Sequence, residues 1–182
     1  MFDTVSSLFH TILLDPVWTL FPNSEGGAEV LLALGFIVLT LILLMFNRKT
    51  RWPIAVVYLI AVLYFTLLVR TAGAERSALL TPFHTIRNAI GWDGWFVIIS
   101  KLNFYQLIAN VLLFVPFGYL LPTLFRFAKR WYVVLPFGAL ASLGIELTQY
   151  FCRLGLFDID DVIFNTLGAL IGFLLYRLLL KK

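Results

Sequence analysis

Four carboxylates stand in one short stretch, "GIELTQYFCRLGLFDIDDVIFN" (residues 144–165): Glu146, Asp158, Asp160 and Asp161. Carboxylates in this setting can do three kinds of chemistry. A desolvated glutamate serves as general acid or base, because burial raises its pKa. Clustered aspartates supply hard oxygen ligands for Mg2+ or Ca2+. Acids at the start of a helix accept its free N–H groups and meet the positive end of its dipole. Nearby Gln149, Arg153 and Asn165 add groups able to hydrogen-bond a polar ligand. Cys152 is the single cysteine, which excludes an intrachain disulfide and any multi-cysteine metal site. His10 and His84 are isolated in sequence, and Ser142 has no histidine at a recognisable triad spacing.

The elements that must position these groups are membrane helices. Of the 182 residues, 61% are hydrophobic and 13% charged, more apolar than a soluble domain of this size tolerates. The reading is an all-α, polytopic membrane bundle, one integral domain over residues 1–182. About twenty apolar residues cross the hydrocarbon core, and five stretches qualify: 29–46, 52–69, 104–125, 131–152 and 162–180. Pro53 suits a helix start, and Pro116 predicts a kink in the third span. No basic n-region opens "MFDTVSSLFHTILLDP", so no removable signal peptide is expected.

Charge sets the expected orientation. The segments "NRKTR" (47–51) and "RFAKR" (126–130), with the tail Arg177, Lys181 and Lys182, hold nine of the fourteen basic residues and none of the ten acids. By the positive-inside rule these segments are cytoplasmic, the N-terminus lies outside and the C-terminus inside. Residues 1–28 then form an outer segment in which 4–14 carry the apolar stripe of an interfacial helix. Residues 71–103 become a long outer connection, with "WFVIIS" suited to a re-entrant or surface-lying lid.

Helical spacing gathers the polar groups. Gly138, Ser142, Glu146, Gln149 and Arg153 follow steps of four, four, three and four along span four. Asp161, Asn165, Gly168 and Gly172 do so on span five, and Asn103, Gln106 and Asn110 on span three, while Arg70 closes span two. Glu146 lies roughly 22 Å above the cytoplasmic start of its span, at 1.5 Å per residue. A charge inside the membrane costs about 2.5–3.5 kcal/mol on insertion scales and must therefore face protein, water or a partner. Gly168 and Gly172, four apart, permit close helix approach and are expected to press span five against span four.

Two stretches resemble the VanZ-like family of bacterial membrane proteins. "NVLLFVPFGYLLP" (110–122) is similar to its asparagine, apolar run and Phe-x-Pro-x-Gly. "SLGIELTQYFCRLGLFDIDDVIFNTLGALIGFLLY" (142–176) is similar to its Ser…Glu-x-x-Gln…Arg…Asp-x-x-Asp-x-x-x-Asn-x-x-Gly-x-x-x-Gly pattern. Arg70 and "LTPFHTIR" (80–87) resemble a weaker N-terminal motif, so the VanZ-like region covers residues 70–176. The resemblance marks Asn110, Pro116, Gly118, Glu146, Gln149, Arg153, Asp158, Asp161, Asn165, Gly168 and Gly172. It implies a polytopic protein of a family in which one member lowers susceptibility to the lipoglycopeptide teicoplanin, and it implies no particular reaction.

The expected substrate-binding set is Arg70, Asn110, Glu146, Gln149, Arg153, Asp158, Asp161 and Asn165. It would form an outward polar cavity for an amphiphilic cell-envelope molecule, either a lipid-linked cell-wall precursor or a lipoglycopeptide, with membrane lipids as surroundings. The alternative is an intramembrane enzyme on a lipid-linked wall substrate, with Glu146 as general acid or base. A purely structural alternative pairs Glu146 with Arg70 or Arg153 and leaves the aspartates to cap span five. Asp158, Asp160 and Asp161 are the only candidate cation ligands; no metal, cofactor or nucleic-acid partner is expected. The inner half of every span is almost wholly apolar, which argues against a conducting path.

Overall fold

The computed structural model describes residues 50–68, 76–90 and 99–180, together with positions 35, 40 and 73; side chains at 88–90, 99–106 and 180 are outside that description. Gly35 and Thr40, within the expected first span, are helical. The remainder of span one, the interfacial helix at 4–14, Arg70 and most of the expected lid lie outside the described residues.

Five α-helices carry the described fold: α1 (Arg51–Leu63), α2 (His84–Ile90), α3 (Ile99–Leu124), α4 (Trp131–Phe151) and α5 (Ile159–Leu180). α1 runs into a π-helical turn, Tyr64–Leu68, and a 3-10 turn at Arg126–Ala128 joins α3 to α4. Four segments are long and apolar enough to cross a membrane: Arg51–Leu68, Leu107–Leu124, Trp131–Phe151 and Ile159–Leu179. They correspond to expected spans two to five, and the chain is an all-α helical membrane bundle. α3 starts at Ile99, five residues before the expected boundary, so the end of "WFVIIS" belongs to a helix. α5 starts at Ile159, which places Asp160 and Asp161 inside its first turn instead of ahead of it.

The bundle closes by backbone contact between α3 and α5. A Cβ on Gly118 would lie 1.9 Å from the Ala169 carbonyl oxygen, and one on Gly168 would lie 2.0 Å from that of Val111. Gly172 meets Val115 in the same way, at 2.0 Å. The glycine pair therefore presses span five against span three, which corrects the expected partner. Span four approaches through Gly138, where a Cβ would sit 2.8 Å from the Ala169 methyl. Buried Phe114, Val134, Ala169 and Phe173 fill the space between the three helices. α1 packs on their flank through Tyr58, whose hydroxyl donates to the Leu113 carbonyl at 2.7 Å.

A short parallel ladder in the connection between α1 and α3 has no strong sequence signal. β1 (Ala78–Leu79) pairs in parallel with β2 (Phe157–Asp158), Ala78 opposite Phe157 and Leu79 opposite Asp158. Two residues per strand are too few to show an alternating pattern. The ladder nevertheless brings residues 76–90 across the turn between α4 and α5, and that crossing builds the site.

Candidate functional site

Polar side chains from α3, α4, α5 and the 76–90 strap meet where α4 ends and α5 begins. On α4 the buried face is Val134, Gly138, Ser142, Glu146 and Gln149, the helical stripe continued from the sequence. Glu146 is 2% exposed, and its Oε2 accepts the Asp158 N–H at 2.9 Å. Asp158 immediately precedes α5 and caps it, Oδ1 accepting the Asp160 N–H at 2.9 Å.

Asp160 is fully buried and faces the strap. Its carboxylate accepts the N–H of Phe83 and, at 2.7 Å, that of Thr85, at the start of α2. The negative charge there complements the helix dipole. Phe83 itself stands at φ 62°, a left-handed conformation uncommon for a bulky residue. His84 lies between the two aspartates: Nδ1 is 2.9 Å from Asp160 Oδ2 and Nε2 is 3.3 Å from Asp158 Oδ2. Burial is the largest influence on the Asp158 carboxyl and pushes its pKa up, against the opposing pull of the Asp160 N–H and of His84.

The remaining partners tie helix to helix. Asn110 on α3 donates to Asp161 Oδ1. Asn165 Nδ2 donates to Ser142 Oγ at 2.7 Å, and the Ser142 hydroxyl reaches the Asp161 carbonyl at 3.5 Å. Gln149 Nε2 donates to the Thr66 carbonyl at 2.9 Å, in the π-helical turn after α1. Such turns inside helices often accompany functional sites. Asn165 is 4% exposed, yet its Oδ1 accepts no hydrogen bond.

The structure thus brings Asn110, Glu146, Gln149, Asp158, Asp161 and Asn165 to one end of the bundle. Arg153 leaves the group. α4 stops at Phe151, and the Leu154 N–H bonds the Gln149 carbonyl while that of Arg153 bonds Tyr150. This is a Schellman closure with Arg153, φ 57°, in the left-handed position where glycine is usual. The side chain is exposed, off the stripe that helical continuation assigned it. We expect Arg153→Gly to raise the thermal midpoint, since a non-glycine in this conformation costs about 1–2 kcal/mol. A lower midpoint would show that the guanidinium contributes more to folding than the backbone loses.

The expected cation set is also regrouped. Asp161 turns to Asn110, whereas Asp158 and Asp160 join His84. Sequence reasoning missed His84 because its partners stand more than seventy positions away, and only its place in "LTPFHTIR" hinted at a role.

A family model described as VanZ/LLP1 matches residues 55–180. Protein VanZ of Enterococcus faecium is 37% identical over 107 residues, an alignment covering 57% of this chain and 55% of the relative. The chain therefore spans about half the length of the curated relative it matches. No solved structure matches.

Proposed function

Because the chain belongs to the VanZ/LLP1 family and is a multi-pass membrane protein, we propose that the polar end of its bundle holds the head group of an amphiphilic cell-envelope molecule. The ligand class is a lipid-linked cell-wall precursor or a lipoglycopeptide, with its acyl chains lying along the apolar helix faces. The basic segment between α3 and α4 lies at the opposite end, which supports an outward opening by the positive-inside rule. Binding or shielding such a molecule would account for a part in teicoplanin-type resistance.

One atom supports this reading most. The Asn165 Oδ1 is a buried acceptor without a donor, among side chains that otherwise satisfy one another. An unpaired buried acceptor costs about 1–3 kcal/mol. Hydroxyl, amide and amine donors are what sugar-peptide head groups carry. The other side chains favour holding over reacting: the Ser142 hydroxyl is engaged with Asn165 and Asp161, and Glu146 Oε2 is engaged by a backbone N–H.

The enzyme reading keeps one specific support, the Asp158 carboxyl facing an imidazole. There the acid–base pair would be Asp158 and His84 in place of the expected Glu146, whose Oε2 holds the Asp158 N–H. Purified protein incubated with lipid-linked wall precursors separates the two. We expect saturable binding, weakened at least tenfold by Asn165→Leu, and recovery of the lipid unchanged in mass. A mass change abolished by Asp158→Asn would establish the enzyme instead.

A further inference from the structure

The contact between His84 and its two aspartates sets one imidazole between two buried carboxyl groups. Nδ1 lies 2.9 Å from Asp160 Oδ2 and 3.1 Å from the Thr85 hydroxyl, so a neutral ring that satisfies the Asp160 carboxylate carries its proton on Nδ1. Nε2 is then an acceptor, and it faces another acceptor, Asp158 Oδ2, at 3.3 Å. The other Asp158 oxygen already takes the Asp160 N–H, so Oδ2 is the oxygen left for this contact. Two lone pairs at that separation repel unless a proton or a metal ion lies between them.

Charge balance points the same way. Asp158 and Asp160 are 5% and 0% exposed, and among the described residues their ion pairs are with His84 alone. Protonating the ring would still leave two carboxylates against one cation. An uncompensated buried ion costs several kcal/mol. A divalent ion bound to Nε2 and Oδ2 removes the repulsion and balances both carboxylates while the ring stays neutral.

The geometry suits this. Two ligands at about 2.0–2.2 Å from one tetrahedral ion stand about 3.3 Å apart, the Nε2–Oδ2 separation. One ligand atom from each of the three residues falls within 4.8 Å of the others. The bond from Nδ1–H to Asp160 is the support that a metal-bound histidine usually receives from a neighbouring carboxylate. Asp160 is itself fixed by the Phe83 and Thr85 N–H groups, so the ring is held in place before any ion arrives.

We propose that His84, Asp158 and Asp160 hold one divalent cation, with Nε2 and the Asp158 Oδ2 as inner ligands and Asp160 orienting the ring. The mixed nitrogen and oxygen donors select Zn2+ or Mn2+ over Ca2+, which takes six to eight oxygens. Water or a ligand oxygen fills the remaining positions on the partly exposed side of His84. The ion would also pin the strap to the α4–α5 turn, since its ligands come from both.

The test needs no lipid, so it fails or succeeds independently of the head-group reading. The full chain carrying Cys152→Ser, free of any affinity histidines, is stripped with a chelator in detergent and titrated with Zn2+ and then Mn2+. We expect saturable uptake of one ion per chain, a raised thermal midpoint, and affinity lowered at least tenfold by His84→Gln or Asp158→Asn, but not by His10→Gln. Should a variant fail to fold, protection of His84 from diethyl pyrocarbonate by Zn2+ in the Cys152→Ser protein supplies the reading. No saturable uptake up to about 100 µM, uptake that survives His84→Gln, or unprotected His84 would overturn the site; so would strap docking that responds to pH and not to metal, which would assign the bridge to a proton.

Discussion

Gly172→Leu is expected to abolish recovery of folded protein, whereas Gly144→Ala leaves it intact or improves it. At Gly172 even the first carbon of a side chain would lie 2.0 Å from the Val115 carbonyl oxygen and 2.9 Å from the Tyr119 nitrogen. Both are backbone atoms, so neither can rotate aside. α3 and α5 would have to separate, and with them the Phe114 and Phe173 rings packed between. Overpacking a core costs about 1–3 kcal/mol where side chains can yield; here the cost should reach or pass the top of that range. Close backbone approach is also the main source of helix association in lipid, where no hydrophobic force draws helices together. A Cβ on Gly144 meets nothing within 4 Å, and alanine there gains up to about 1 kcal/mol of helix propensity. The check is the monodisperse fraction on size exclusion and the thermal midpoint of each variant. Equal behaviour of the two would remove the α3–α5 contact as the centre of the bundle.

Asp160→Ala is the second large effect. It strips acceptors from the Phe83 and Thr85 N–H groups and leaves His84 Nδ1 with the Thr85 hydroxyl alone, at 3.1 Å. Each buried donor left unsatisfied costs about 1–3 kcal/mol. The loss falls on the strap, because the spans keep their own packing. Trypsin should therefore cut at exposed Arg87 at least tenfold faster in Asp160→Ala than in the parent, with the bundle still folded. Glu146→Gln should be milder, since a glutamine oxygen still accepts the Asp158 N–H. Unchanged cleavage in Asp160→Ala would mean that the two-residue β ladder alone holds the strap.

Much of this was legible in the sequence because lipid imposes a simple grammar. Long apolar runs mark spans, and any polar group placed within one must face protein, which is why Ser142, Glu146 and Gln149 share a buried side. What the sequence leaves open is decided by local geometry. Arg153 continues the stripe on paper, but a Schellman turn ends the helix two residues earlier and carries it outward. The Gly168 and Gly172 pair announces a close neighbour without saying which, and the neighbour is α3 where α4 was expected. His84 escapes notice because imidazole and carboxylates far apart in sequence become a cluster only once β1 pairs with β2. Asp161 illustrates the same limit, since its place in the aspartate cluster made it a candidate cation ligand and its side chain instead meets Asn110.

We propose that one outward-facing polar site, assembled from separate helices and the strap, engages a head group. A membrane-impermeant, photoactivatable head-group analogue of a lipid-linked wall precursor, applied to intact cells, tests it most directly. Adducts mapped by peptide mass spectrometry should fall in residues 80–87 and 144–165 and disappear when unlabelled precursor competes. Adducts concentrated at 126–131, or scattered along the helices and indifferent to competitor, would contradict it.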